Sequence, residues 1–162
     1  MSENHNELKE KITIWLSKER FQADSITVQG AFFAISCRVN GQPISIVAWQ
    51  NHDGFLTVST SITLGDDQKN LLNEIPEDKI ITMLWEIRLS LVNLVDRMRI
   101  LDNHNESDWI QLQNTIYFEG LDREGFMRCI KRLHSASLTV IWIIEKYSGA
   151  RNTRHQPPSL YQ

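Results

Sequence analysis

Residues 31–49 read AFFAISCRVNGQPISIVAW, and this stretch decides the fold. Apolar residues recur at every second position on both sides of Asn40-Gly41, first Phe33, Ile35, Cys37 and Val39, then Ile44, Ile46 and Ala48. A period of two is that of a half-buried strand, and an Asn-Gly pair tolerates the positive φ angles of a tight hairpin turn. The stretch therefore predicts two antiparallel strands joined by a two-residue turn.

Two further strands extend this hairpin into a meander. Residues 25–28 form a short strand that turns at Gln29-Gly30, and a strand over 55–64 follows a loop that ends in Asp53-Gly54. Within the later strand, apolar residues alternate with serines and threonines. One apolar face and one hydroxyl-rich face predict a sheet that is covered on one side only.

Three segments have the apolar spacing of amphipathic helices. Residues 7–21 and residues 123–148 each place apolar side chains along one helical face. Between them, an uninterrupted stripe with four-three spacing comprises Ile80, Leu84, Ile87, Leu91, Leu94, Met98 and Leu101. The stripe predicts one helix from Pro76 to Leu101, ~39 Å long at 1.5 Å per residue.

Together these elements predict a single α+β domain with a mainly antiparallel five-stranded sheet, packed with three principal helices. The fifth strand covers 112–119, and a short helical segment at 68–74 leads into the long helix. We expect the domain to span residues 1–150 and to be followed by a flexible polar tail, 151–162. The predicted core includes Ile35, Ile46, Val58, Leu84, Ile87, Leu91 and Leu133.

Composition and charge limit the class of partner. The chain has 162 residues, 41% of them hydrophobic, and a net charge of −3, which argues against attraction to nucleic acid or to anionic membranes. The first residues lack the apolar segment of a signal peptide, and charges break every long apolar stretch. We therefore expect a cytoplasmic protein without a membrane span, in which Cys37 and Cys129 are reduced core residues.

No residue pattern predicts a catalytic, metal or cofactor site. His52 stands beside Asp53 in a turn, a pair that resembles an oriented base, but no nucleophile accompanies it. Cys129 has cationic neighbours that can lower a thiol pKa, yet its mid-helix position favours an inert side chain. A basic cluster on the last helix, which we interpret as a solvated face, comprises Arg123, Arg128, Lys131 and Arg132. We expect no catalytic residue, no metal and no cofactor.

The order of the predicted elements resembles the type III secretion chaperone-like fold, which includes YbjN-type domains. The order is helix, four strands, helices, strand and helix, and the resemblance covers residues 7–149. Proteins of that fold are generally not enzymes, and they often form homodimers and bind segments of other proteins. One departure is that four strands precede the long helix and one follows, where secretion chaperones have three and two. The resemblance therefore implies a place among the uncharacterised relatives.

Excess apolar surface on the helices predicts a non-catalytic, protein-binding domain of the chaperone or adaptor kind, whose first partner is a second copy of the chain. The long helix and the last helix each carry a second stripe of apolar side chains beside the main one, and a single sheet face cannot cover all four stripes. The predicted partner interface comprises Ile81, Trp85, Val92, Val95, Ala136, Val140 and Ile143. Packing of the helices against each other within one chain is the alternative. The alternative function is a small-molecule-binding domain or enzyme, with a pocket between sheet and helices near Trp49 and His52.

Overall fold

The computed structural model describes residues 5–52, 54–100 and 108–149, and within these ranges it contains four helices and six strands. The helices are α1 (His5–Lys18), α2 (Asp66–Asn73), α3 (Glu77–Leu91) and α4 (Arg123–Ser148). The strands are β1 (Ala23–Ile26), β2 (Ala31–Val39), β3 (Gln42–Trp49), β4 (Phe55–Thr63), β5 (Arg97–Ile100) and β6 (Asp108–Tyr117). The α+β class is confirmed, whereas the predicted tail at 151–162 lies outside the described residues.

All six strands belong to one antiparallel sheet with the order β1-β2-β3-β4-β6-β5. The β2–β3 hairpin is confirmed, since Val39 pairs with Gln42 across Asn40 and Gly41, whose φ angles are 49° and 83°. Two consecutive positive φ angles are those of a type I′ turn. The predicted count of five strands is wrong, because β5 comes from residues that were predicted as the end of the long helix. The structure has four helices where three principal helices were predicted, because the short helical segment predicted at 68–74 forms α2.

The helix predicted from Pro76 to Leu101 ends at Leu91, and the chain then turns into β5. The buried side chain of Asn114, on β6, holds this turn in place. Its Oδ1 accepts a hydrogen bond from the Asp96 backbone N at 2.7 Å, and its Nδ2 donates to the Leu94 carbonyl at 3.0 Å. These bonds satisfy backbone groups that would otherwise pair within a helix, so the next four residues join the sheet.

The helices lie on one face of the sheet. α1 packs against β1 and β2, and α4 packs against β4 and β6. These two helices meet where the rings of Trp15 and Phe126 lie 5.7 Å apart. α3 packs mainly against α4 and so forms an outer layer. Among the described residues, no helix packs on the opposite face of the sheet, which we call the helix-free face.

One hydrophobic core joins the covered sheet face to the helices. The predicted core residues that are buried are Ile35, Ile46, Val58, Ile87, Leu91 and Leu133. Leu84 is only half-buried, because the inward positions of α3 follow the four-residue spacing of Met83, Ile87 and Leu91. In the described part of the chain, no helix is both long and apolar enough to cross a membrane.

Candidate functional site

The solvent side of α3 carries a row of apolar side chains that we call the outer stripe. It consists of Ile81, Trp85, Leu89 and Val92, which are 50%, 56%, 69% and 71% exposed. Successive residues are four, four and three positions apart, so they share one helical face. That face is opposite the buried residues Met83, Ile87 and Leu91. α3 is therefore apolar on both its inner and its outer side.

The structure separates the predicted interface residues into two groups. Ile81, Trp85 and Val92 belong to the outer stripe, and Val95 is half-buried in the connection between α3 and β5. The residues predicted on α4 are instead buried in the core, and these are Ala136, Val140 and Ile143. These three side chains are covered by other parts of the same chain, so they are not exposed to a partner.

Two exposed apolar residues were missed at the surface of α3 and α4. Leu89 continues the Ile81–Trp85 spacing by one more turn, so it could have been found from the sequence. Trp142, which is 61% exposed, belongs to neither apolar stripe of α4. It lies one helical turn before Lys146, so the two side chains share one side of α4.

A polar contact fixes α3 on α4. The Glu86 carboxylate accepts hydrogen bonds from Lys146 Nζ at 2.9 Å and from the Tyr147 hydroxyl at 2.7 Å. The bond from Lys146, followed by that from Tyr147, lowers the pKa of Glu86 below its ordinary value of 4.5. The same contact raises the pKa of Lys146 and that of Tyr147. The charged pair therefore adds to the core packing that orients the outer stripe relative to α4.

Two adjoining cavities lie along the first half of α4, with volumes of about 640 and 320 Å³. Leu94, Arg128 and Arg132 line both, and Val92 of the outer stripe lines the smaller one. Arg128 pairs with Glu124 within α4 at 2.6 Å, whereas Arg132 forms no ion pair with any described residue. The basic cluster therefore begins where the outer stripe ends.

A third cavity, of about 750 Å³, lies on the helix-free face of the sheet, and we call it the sheet groove. Its floor consists of short side chains on β3 and β4, including Val47, Thr57 and Ser59. One wall is aromatic, with Trp49, His52 and Phe55. The opposite wall is polar and is formed by Asp96, Arg97, Gln111, Gln113 and Thr115.

The aromatic wall of the sheet groove contains the two residues that the sequence placed near a pocket, Trp49 and His52. The rings of His52 and Phe55 are stacked with centroids 5.3 Å apart, and Trp49 Nε1 donates to Thr57 Oγ1. The pocket was predicted between sheet and helices, which is wrong, because the alternation of β3 places Trp49 on the helix-free face. Asp53, the predicted companion of His52, lies outside the described residues.

Burial raises the pKa of both cysteine thiols. Desolvation raises the pKa of Cys37 to about 11, and desolvation is also the largest influence that raises the pKa of Cys129 to about 11. The cations next to Cys129 in the sequence therefore do not activate it. Across residues 5–52, 54–100 and 108–149, no three His, Cys, Asp or Glu side chains are grouped so that they could hold a metal ion.

Comparisons with known proteins identify a family without naming an activity. The model of the family DUF2299, described as "Uncharacterized conserved protein", matches residues 8–144. A search of curated proteins finds no match. The crystal structure of an uncharacterized protein from Methanothermobacter thermautotrophicus is similar, with a TM-score of 0.75 and 20% sequence identity. The similarity covers 85% of this chain and 96% of that chain, and at this identity it shows a shared fold.

Proposed function

This chain belongs to DUF2299, and we propose from its surfaces that it is a non-catalytic protein-binding domain whose first partner is a second copy of itself. In the proposed dimer, the two α3 helices pack antiparallel through their outer stripes about a two-fold axis.

The outer stripe is the observation that carries this proposal. A helix that is apolar on two opposite sides normally buries both of them, yet every residue of the stripe is at least half exposed. Burial of apolar surface contributes about 25 cal/mol per Å², and a large aromatic such as Trp85 contributes the most area. Contiguous exposed apolar surface of this kind marks an interaction site.

The order of residues in the stripe favours a second copy as the occupant. A two-fold interface uses the same patch on both subunits, so the patch must complement itself. In an antiparallel pair centred at Ile87, Trp85 faces Leu89 of the second copy, and Ile81 lies within one position of its Val92. Branched residues then meet at both ends, and a large ring meets a leucine near the middle.

Charge favours the same arrangement. The first turn of α3 is acidic, with Glu77 and Asp78, and the other end of the stripe lies beside Arg128 and Arg132. Antiparallel packing brings the acidic end of each helix to the basic end of the other. Complementary charges fix the register and accelerate association, so the two ends of the stripe select the antiparallel orientation.

A chaperone-like or adaptor-like role extends this proposal beyond the dimer. The resemblance to the type III secretion chaperone-like fold implies it, since such proteins bind segments of other proteins as dimers.

Sedimentation velocity over a micromolar concentration range tests the dimer. We expect a species of twice the 18.9 kDa chain mass. The substitution Leu89→Asp places a charge in the middle of the apolar contact, so it should raise the dimer dissociation constant about 100-fold or more. The matched control is Ile14→Asp, which adds the same charge at a 53% exposed isoleucine on α1. A wild-type monomer at all concentrations, or equal effects of the two substitutions, would contradict the proposal.

A further inference from the structure

We infer that the sheet groove is a second binding site, separate from the outer stripe, and that it takes a small molecule combining a planar aromatic ring with an anionic group, as a mononucleotide does. The site goes beyond the proposed protein-binding role. It lies on the helix-free face, whereas α3 lies on the far side of the helical layer.

The strand register explains why a groove exists on this face. Small residues pair across neighbouring strands, Ser36 with Ser45 and Ser45 with Ser59, and this row ends at Gln113 and Arg97. Short side chains in the middle and long ones at the edges make the surface concave. The volume of about 750 Å³ falls within the roughly 300–1,000 Å³ that is usual for small-molecule sites.

The aromatic wall can hold a flat ring. Trp49 is oriented by its hydrogen bond to Thr57, and His52 stacks on Phe55, so the wall is organised before any ligand arrives. Phe55 also contacts Tyr117 edge-to-face, with centroids 6.1 Å apart, which supports the wall from behind. A nucleic-acid base or a similar flat ring stacks on such side chains.

The opposite wall can hold an anion. Arg97 and Arg99 pair with Gln113 and Gln111 of β6, so both point to the helix-free face, and neither forms an ion pair with any described residue. Asp96 lies in the same wall, where its Oδ2 accepts from the Thr115 backbone N at 2.7 Å, and it forms no ion pair with Arg97. A planar guanidinium without a partner is well suited to a phosphate or carboxylate.

The space between the two walls carries groups that both donate and accept hydrogen bonds. Gln111 and Gln113 offer side-chain amides, and Ser59 offers a hydroxyl. Tyr117 and Gln113 are four residues apart on β6, or about 13 Å at 3.3 Å per residue. That separation suits a ligand with a ring at one end, hydroxyls in the middle and an anion at the other end. Arg97 lines the groove and Arg99 lies next to it on the same face, which is too little positive charge for a long polynucleotide, since that ligand needs many phosphate contacts.

Isothermal titration calorimetry with three probes tests the inference: adenosine monophosphate, adenosine and ribose 5-phosphate. We expect adenosine monophosphate to bind most tightly, because it alone contacts both walls. Arg97→Gln should weaken adenosine monophosphate binding about 10-fold or more and leave adenosine unchanged. Trp49→Leu should weaken both ring-containing probes. Arg38→Gln is the matched control, since Arg38 is exposed on the same sheet face but outside the groove.

Three results would overturn the inference. They are no binding of any probe at millimolar concentration, equal binding of ribose 5-phosphate and adenosine monophosphate, or an Arg97→Gln effect no larger than that of Arg38→Gln. Thermal unfolding of each variant verifies that it is folded. The same titrations on Leu89→Asp separate the two sites, because loss of the dimer should leave the affinity of the groove unchanged.

Discussion

At the scale of single residues, buried or paired polar groups decide features that apolar patterns do not show. Asn114 alternates with apolar neighbours on β6 and is buried, where it ends α3 by bonding to the Leu94–Asp96 segment. Glu86, on α3, has no visible partner in the sequence, because Lys146 and Tyr147 are about sixty positions away. Such contacts depend on the three-dimensional register, so a single sequence does not predict them.

The Glu86 contact has a defined pH dependence. A carboxylate whose pKa is lower in the folded chain stabilises the fold above its unfolded pKa, and this stabilisation disappears as pH falls through the folded pKa. We expect Glu86→Gln to lower the free energy of unfolding at neutral pH, with a difference from wild type that shrinks below about pH 4.5. Urea unfolding between pH 3 and 7 measures it.

Lys146→Met is the companion variant for Glu86→Gln, since it removes the donor and keeps the length of the side chain. It should abolish most of the downward shift in the pKa of Glu86, which NMR titration of the carboxyl carbon detects. A difference between wild type and Glu86→Gln that persisted unchanged to pH 3 would exclude the contact as a stabilising one.

At the scale of elements, the sequence predicts strands and turns better than the end of a helix. The Asn40-Gly41 turn was predictable because its conformation depends on those two residues. The end of α3 was not, because Met98 fits the four-three stripe while Met98 and Ile100 also fit a strand period of two. The pocket near Trp49 was predicted on the wrong face of the sheet for a related reason. The sequence indicates that Trp49 lies in a strand, but only the pairing of β3 shows which face of the sheet its side chain is on.

The two sides of α3 predict opposite responses to the same truncation. Leu91→Ala removes a buried side chain and should cost about 2–5 kcal/mol of unfolding free energy. Leu89→Ala, at 69% exposure, should cost less than about 0.5 kcal/mol when measured below the concentration at which the dimer forms. Urea denaturation of both variants under those conditions measures the contrast. Similar losses for the two would show that α3 turns a different face to the core.

At the scale of the whole molecule, the net charge of −3 does not show that acidic and basic side chains lie at opposite ends of the outer stripe. The acidic first turn and the basic cluster beside Val92 lie at opposite ends of the outer stripe. The sequence alone favours a solvated helix face for the basic cluster, because its proximity to the stripe depends on how α3 crosses α4. Of the residues predicted from the sequence at a partner interface, Ile81, Trp85 and Val92 are exposed, whereas those on α4 are buried by the fold.

Charge reversal tests the antiparallel arrangement. Asp78→Arg and Arg132→Asp should each weaken the dimer about 10-fold, because each contact occurs twice in a two-fold interface. The double variant should recover most of the wild-type affinity, since opposite charges face each other again. Sedimentation at low ionic strength measures all four proteins. Additive losses in the double variant would contradict the antiparallel register.

The two edge strands, β1 and β5, have a consequence for the behaviour of this protein at high concentration. Each is four residues long and flanks a strand of nine or ten residues. A long open edge would expose unpaired backbone groups as a template for fibre growth, and short edges with charged residues suppress such growth. Arg97 and Arg99 on β5 and Asp24 on β1 supply that charge. A sheet that keeps one face uncovered for binding thus avoids joining its neighbours edge to edge.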